Sequence, residues 1–273
     1  MISILILTFN EARNLPGALA SVRASDDIVV LDSGSTDATL AIAQAAGARV
    51  FSRPFDDFSG QRNYAHATVS FKHDWVFHLD ADERISPELM AECDRMAANA
   101  PPTVDGFYAA PRMLFRGRWL PRCTDFPAWQ ARFVHATRFS FVQVGHGQRE
   151  SPGMRMQYLQ GGYFHEMLLP GSEDDWLEKH RRYARIEARS ASHQPPPTRE
   201  LISRDRLVRR RALKAVSYRL PFRPAFRMFY QFVLRRGFLD GRYSWRYCRL
   251  LGRYEHFIDE ERRRLSRVAG GAL

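Results

Sequence analysis

Four short strand-like runs in the first eighty residues, at 2–7, 28–31, 49–51 and 75–79, each give way to a polar cluster and then to a helical stretch. This alternation constrains the chain more than any other feature, because strands separated by helices pair in parallel and are covered by helices on both faces. The run at 2–7 is almost continuously apolar, as a strand buried on both sides requires. Thr8-Phe9-Asn10-Glu11 breaks it ahead of a helical stretch around 15–22. The second run ends in Asp32-Ser33-Gly34-Ser35-Thr36-Asp37, after which an alanine-rich helix at 38–46 is closed by Gly47. A further helix begins at Gln61-Arg62-Asn63-Tyr64-Ala65. The expected fold is a doubly wound, mostly parallel α/β sheet, with its polar clusters along the carboxyl edge where such sheets bind ligands.

The fourth run ends abruptly in Asp80, Asp82 and Glu83. Packing does not call for acids after a core strand, whereas two carboxylates one residue apart can both reach a hard divalent cation, whose other ligands are commonly phosphate oxygens. The plain alternative is an acidic surface turn leading into the next helix, since Ser86-Pro87-Glu88 reads as an N-cap, a first-turn proline and a first-turn acid. Asp32 stands about where a dinucleotide-binding domain places its ribose-binding acid, yet the first turn, from Thr8 to Asn14, has no glycine. Without glycine the backbone cannot approach a pyrophosphate there, so the diphosphate must be held elsewhere, and a metal on Asp80 and Asp82 would do that.

With 273 residues and 45% hydrophobic content, the chain can bury one large core, alone or with a smaller unit beside it. No run approaches the eighteen apolar residues of a membrane span, and the apolar start is too short, and lacks the basic flank, for a signal peptide, so a cytoplasmic location is expected. Cys93, Cys123 and Cys248 are too widely spaced for a zinc knuckle or a disulfide framework. The net charge of +11 is unevenly spread: residues 1–100 carry a net −6, and residues 201–273 a net +13.

Taken together, Thr8-Phe9-Asn10-Glu11, Val30-Leu31-Asp32-Ser33-Gly34-Ser35-Thr36-Asp37, Gln61-Arg62-Asn63 and Asp80-Ala81-Asp82-Glu83 resemble, in order and spacing, the successive motifs of the family 2 inverting glycosyltransferases of GT-A fold. Later stretches, His146-Gly147-Gln148-Arg149-Glu150, the run from Trp176 to Tyr183, and Arg236-Gly237-Phe238-Leu239-Asp240-Gly241, resemble the branch that builds lipopolysaccharide core or exopolysaccharide. The resemblance implies transfer of a hexose from a nucleotide sugar, a UDP-hexose first among them, with Mg²⁺ or Mn²⁺ as cofactor. Carried over to this chain, Thr8, Asn10, Glu11 and Asp32 would line the base and ribose pocket, and Arg62 and Asn63 would lie against the base or the phosphates. Asp80 would meet the ribose or sugar and join the metal site, Asp82 would be the principal metal ligand, and His165 would be a further one or else a core histidine. Asp37 would lie near the nucleotide or cap the helix that follows.

Inversion also needs a base to take the acceptor's proton. The expected loop reads Val144-Gly145-His146-Gly147-Gln148-Arg149-Glu150 here, which departs from the family's pattern; Glu150 is the first choice, with Asp125 and Glu166 behind it. His146 would hold the acceptor or be structural, and Trp119 and Trp129 would be sugar platforms or core.

The expected division is a nucleotide-sugar half at 1–100, an acceptor half at 101–192 and, after the proline-rich 194–198, a basic helical extension at 199–273. Residues 173–191 have helical spacing, with Trp176, Leu177, Tyr183 and Ile186 on one face. In 219–254, arginines stand among Phe226, Phe229, Tyr230, Phe232, Trp245 and Tyr247, a mixture that suits helices at an anionic membrane surface or, alternatively, aromatics packed back on the core. The expected partners are a nucleotide-sugar donor, a glycan or glycolipid acceptor and that membrane surface, with no nucleic acid. A sugar-phosphate nucleotidyltransferase and a basic nucleic-acid-binding protein are the alternatives; the absence of a glycine-rich first loop weighs against the former, and the acidic first hundred residues against the latter.

Overall fold

The computed structural model describes residues 1–144, 147–168, 173–193, 199–204, 206–218 and 220–270, so His146 and the proline-rich segment at 194–198 lie outside the described residues. The chain divides into two compact units. The first comprises Met1–Trp119 and Asp125–Met167; the second comprises Leu120–Thr124 and Leu168–Leu273. The two halves expected at 1–100 and 101–192 thus share one unit up to Met167. Residues 168–192 group with the tail instead, because the long helix they open packs along the C-terminal helix.

The first unit runs β1 (Ser3–Thr8), α1 (Leu15–Ser21), β2 (Ile28–Asp32), α2 (Thr39–Ala45), β3 (Arg49–Ser52), α3 (Phe58–Thr68), β4 (Trp75–Asp80), β5 (Glu83–Arg84), α4 (Pro87–Asn99), β6 (Gly106–Phe115), β7 (Arg118–Trp119), β8 (Gln130–His135), β9 (Phe141–Val144), β10 (Gly147–Glu150) and β11 (Met156–Leu168). The main sheet has the order β3-β2-β1-β4-β8-β6-β11-β5, with β7 on β6 and the β9–β10 hairpin apart. From β3 to β4 all pairs are parallel, whereas β8 joins β4 and β6 antiparallel and β5 joins β11 antiparallel. The winding therefore holds for the first four strands, and beyond β4 the sheet is extended by antiparallel pairs.

Side-chain alternation divides the core in two. Ile2, Ile4 and Ile6 of the first strand region join Trp75, Phe77 and Leu79 on the side covered by α1 and α4. Leu5, Val29, Leu31 and Val76 face Ala65 on the α3 side. Helix starts follow local chemistry: Asp57 caps α3 by accepting from the Gly60 N–H at 2.7 Å, and Ser86 caps α4 by accepting from Leu89, with Pro87 in the first turn. Strand β11 passes so close to β6 that a Cβ on Gly162 would lie 2.6 Å from the Ala110 carbonyl oxygen, so only glycine fits there.

The second unit contains α5 (Glu173–His193), α6 (Arg206–Ser217), α7 (Arg223–Phe229), a π-helical turn at Tyr230–Leu234 and α8 (Arg242–Gly270). Among the described side chains of α5, Ala184, Glu187 and Ala188 are buried, with Trp176, Leu177 and Tyr183 half-buried beside them. Ile186, expected on that face, is exposed, because it falls one position short of the 183-to-187 step that keeps to the stripe. The segment Leu120–Thr124 is held by Asp240, whose carboxylate accepts from the Arg122 and Cys123 amides at 2.8 Å each. All three cysteines are free and buried. Among the described residues, no helix is long and apolar enough to cross a membrane.

Candidate active site

The strand order fixes where a ligand can sit. The chain winds from β1 outwards through β2 to β3, then returns to place β4 on the other side of β1, so the order reverses between β1 and β4, the place where open α/β sheets form their ligand crevice, at the carboxyl ends of the strands. Register brings the predicted residues to that edge: Thr8 pairs with Asp32, and Leu7 with Asp80.

Asp32 is fully buried, and its carboxylate accepts from the Thr8 hydroxyl at 2.9 Å, the Gly34 and Ser35 amides at 2.8 Å each, and the Ser35 hydroxyl. Burial opposes its charge, but these donors hold its pKa below the usual value. Asn10, in the left-handed region at φ 53°, ties the two loops together: its amide donates to the Ser35 hydroxyl at 2.7 Å and its side-chain oxygen accepts from the Thr36 amide at 2.8 Å. The Glu11 amide donates to the Thr39 hydroxyl at 2.8 Å, and Glu11 accepts from the Asn14 side chain. Asp37, exposed in the turn before α2, accepts from the Thr39 and Ala12 amides, and the N-cap residue of α2 is Ala38.

A second group forms between α3 and β4. Alternation along β4 turns Val76, His78 and Asp80 towards α3, and one turn of helix rises about as far as two residues of strand, so Arg62 and His66 meet Asp80 and His78 as two successive rungs. The Arg62 Nη2 donates to Asp80 Oδ1 at 2.7 Å, and His66 Nε2 lies 2.9 Å from His78 Nε2 with the rings stacked. Arg62 is fully buried, and its Nε and Nη1 have no partner among the described residues. Asn63 faces the hairpin, where it exchanges two 2.9 Å hydrogen bonds with the Phe141 backbone, so its amide is engaged by protein rather than turned to the crevice.

Sequence reasoning missed Arg132 of β8. It is almost fully buried, and its Nη2 reaches Asp80 Oδ2 at 3.1 Å and Glu83 Oε1 at 2.8 Å, while its guanidinium lies over the Tyr163 ring. The available signal was an arginine inside the strand Ala131-Arg132-Phe133-Val134, since a charge in a core strand implies a buried partner. With both Asp80 oxygens on arginines, burial is outweighed and Asp80 stays ionised well below the usual carboxylate range. Glu83, buried beside it, is pushed the other way, first by desolvation.

One ligand atom each from Asp82, Glu83 and His165 lies within 4.8 Å of the other two, the one such group of three among the described residues. Strand pairing accounts for it: β5 and β11 set His165 opposite Glu83. His165 Nδ1 is 3.1 Å from Glu83, and Nε2 is 3.6 Å from Asp82 Oδ2. Burial disfavours the imidazolium, but Asp82 and Glu83 together raise the His165 pKa to about 9. The donor set of carboxylate and imidazole fits a divalent cation such as Mn²⁺, with Glu83 orienting the ring through Nδ1 so that Nε2 faces the same space as Asp82. Asp80 stands outside this group.

The three base candidates are not brought together. Glu150 ends the β9–β10 hairpin opposite Phe141. Glu166 follows His165 on β11, so alternation turns it to the other face, where it accepts from the Gly117 amide at 3.3 Å. Asp125 begins the segment that re-enters the first unit. Trp119 and Trp129 are both more than a third exposed, and Trp129 contacts Tyr158 edge to face.

The decisive comparison is with the sequence model of glycosyl transferase family 2, which matches residues 3–154. The chain belongs to that family. The match spans more than half of the chain and carries the β1, β2, α3 and β4 motifs. Among relatives of this family 2 member, an uncharacterized glycosyltransferase of Rickettsia bellii is 39% identical over 99 residues, covering 36% of this chain and 33% of that protein. The lipopolysaccharide core biosynthesis glycosyltransferase LpsC of Rhizobium meliloti is 35% identical over 107 residues, covering 35% of this chain and 39% of LpsC. The matched stretch thus spans between about a third and two fifths of these curated relatives. Among solved structures, the mannosyltransferase PcManGT from Pyrobaculum calidifontis, in complex with GDP-Man and Mn²⁺, superposes with a TM-score of 0.53 at 15% identity, covering 96% of this chain and 86% of that one. This likeness shows the GT-A fold.

Proposed function

We propose that the protein is an inverting, metal-assisted hexosyltransferase that uses a nucleotide sugar as donor and a lipopolysaccharide-core or exopolysaccharide glycan or glycolipid as acceptor. The observation that carries this reading is the Asp82–His165 pair at the carboxyl end of β4, at the point where the strand order reverses, backed by Arg62 and Arg132. Asp82 and His165 Nε2 would hold Mg²⁺ or Mn²⁺, and the bound cation would supply charge stabilisation for the departing nucleoside diphosphate. Glu83 holds the His165 ring through Nδ1. Asp80, locked by two arginines, keeps a fixed negative charge beside the sugar, and Arg62 adds a buried positive charge beneath the diphosphate.

In this reading the turn at Ser33–Ser35, shaped by Asp32 and Asn10, receives the base and ribose, while Thr8 and Glu11 brace it from the β1 side. Asn63 acts through the hairpin it clips to α3. Glu150, on that hairpin, takes the proton of the acceptor hydroxyl as its oxygen attacks the anomeric carbon; the bond from that carbon to the diphosphate breaks on the opposite face, which inverts the centre. Trp129 and Tyr158 offer an exposed aromatic surface for acceptor sugars. The name of LpsC supports the acceptor class. The reaction would take place in the cytoplasm, at the inner face of the cell membrane.

The test is a thermal-shift panel of UDP-hexoses and GDP-mannose, each with Mn²⁺ and with chelator, since a ligand that binds only the folded protein raises its apparent stability. One donor should stabilise the protein only with metal, and Asp82→Asn should abolish that shift while leaving the unliganded melting temperature nearly unchanged. No donor producing a metal-dependent shift, or an Asp82→Asn protein responding normally, overturns the reading.

A further inference from the structure

The helix α7 is built inside out. Its inward face is charged: Arg223 is 4% exposed and pairs with the buried Glu255 of α8, towards which Arg227 also turns. Gly252 of α8 receives Met228 on the same side, and Gln231 in the π-helical turn is fully buried. The outward face is apolar. Phe222, the left-handed residue just before the helix, is 83% exposed, and Phe226 and Phe229 are 49% and 51% exposed, with Val233 continuing the line. The spacing of 222, 226, 229 and 233 is that of one helical stripe. Leu234, Phe238 and Leu239 lie exposed just beyond, while Tyr230, Phe232 and Tyr247 are half-buried, so the aromatics of this tail are sorted into a packed set and a presented set.

A helix that turns arginines inward and phenylalanines outward is matched to an apolar medium rather than to water. Beside it, α8 shows the complementary chemistry. Arg242, Arg249 and Arg253 are exposed at helical spacing, with Trp245 among them and with Arg246 of the same row paired to Glu173, and Trp245 meets Phe232 edge to face at 5.3 Å. A row of arginines next to a stripe of aromatics, with an interfacial tryptophan between them, corresponds to the headgroup layer and the acyl boundary of an anionic bilayer.

We propose that the α7 stripe, Phe222, Phe226, Phe229 and Val233, inserts into the interface of an anionic membrane while the α8 arginines lie against its headgroups. This deepens the acceptor reading above by naming the surface that brings the enzyme to a lipid-linked acceptor, but membrane binding itself needs no donor, metal or acceptor.

The experiment is flotation of the full chain with vesicles of phosphatidylcholine alone and of phosphatidylcholine with 30 mol% phosphatidylglycerol, in low and in high salt. The intact protein should float with the anionic vesicles in low salt and keep part of that binding in high salt, because aromatic insertion is not screened. Phe222→Ser/Phe226→Ser/Phe229→Ser should lower the bound fraction at least ten-fold at both salt concentrations. Arg242→Gln/Arg249→Gln/Arg253→Gln should lower it in low salt and leave the salt-resistant part in place. Because these side chains are exposed, the donor-induced thermal shift should persist in both variants, which separates this test from that of the catalytic reading. Intact protein that ignores anionic vesicles in low salt overturns the proposal, as does a serine variant that binds like the parent. A self-association that the serine variant abolishes, without vesicle binding, would instead identify the stripe as an interface between copies of the chain.

Discussion

At the scale of single residues, the site depends on charges that are buried in pairs. Arg132 touches both Asp80 and Glu83, so Arg132→Met leaves the buried Glu83 and the half-buried Asp80 carboxylates with one cationic partner fewer. Breaking a buried pair from one side costs about 3–5 kcal/mol, and chemical denaturation should show a loss of that order. Adding Glu83→Gln should recover part of it, since the unpaired charge is then removed. Glu150→Gln makes a different prediction: with donor binding and stability unchanged, turnover should fall by about 10²- to 10⁴-fold, the usual contribution of a positioned base. Should Asp125→Asn or Glu166→Gln produce that fall instead, the base moves and the reaction class survives. Of these residues, the sequence made legible the ones that follow a strand end. Asp32, Asp80 and Asp82 announce themselves because polar residues interrupt apolar runs at fixed places, which is a local signal. Arg132, and the engagement of Asp32 and Asn63 by protein, depend on partners from 24 to 78 positions away in the chain, and no local pattern encodes those distances.

At the scale of elements, the α3 helix is the organiser. It is fastened to β4 by the Arg62–Asp80 and His66–His78 rungs, and it fastens the hairpin through Asn63. Asn63→Ala removes both bonds to Phe141 and strands a backbone amide, which costs about 1–3 kcal/mol. Hydrogen exchange should show the β9–β10 amides losing protection while those of β1 and β4 keep theirs; equal exchange everywhere would mean the hairpin is held by other contacts. The parallel half of the sheet was readable because each strand and helix carries its own local period and because Ser86-Pro87 marks the start of α4; the Asp57 cap, which starts α3 at Phe58 ahead of the expected Gln61, was not read. The antiparallel half was not, because β6, β8 and β11 are long-range partners whose register is set by a bulge at Phe107/Tyr108 and by the close approach at Gly162.

At the scale of the whole molecule, pH acts through the buried histidine pair. His66 and His78 both have lowered pKa values, chiefly through desolvation, with Arg62 opposing their protonation as well. In the unfolded chain each titrates near its ordinary value of about 6.5. At these two sites the unfolded state binds more protons than the folded one, whereas His165, whose pKa the fold raises to about 9, works the other way above its unfolded value; stability therefore falls as pH falls from about 6.5 to 5. Melting temperatures across that range should decline, and His66→Phe should flatten the decline; a curve with the same slope in both proteins would assign the acid sensitivity elsewhere. The helical tail was legible as basic and aromatic, but which aromatics are packed and which presented follows from the inward pairing of Arg223 with Glu255, and that only the fold reveals.

The brief segment Leu120–Thr124 bears on how such a chain can be recombined. It lies between two stretches of the first unit, yet it belongs to the second, gripped by Asp240 and by a hydrogen bond from Arg235 to the Arg122 carbonyl. A single crossover cannot exchange the helical unit for that of a relative. A chimera joined between residue 167 and Arg235 would bring a foreign Asp240 equivalent to a native Leu120–Thr124 loop, so the two pieces must travel together or diverge together. Chimeras that carry the loop and the tail from one parent should express as folded protein, and those that split them should not.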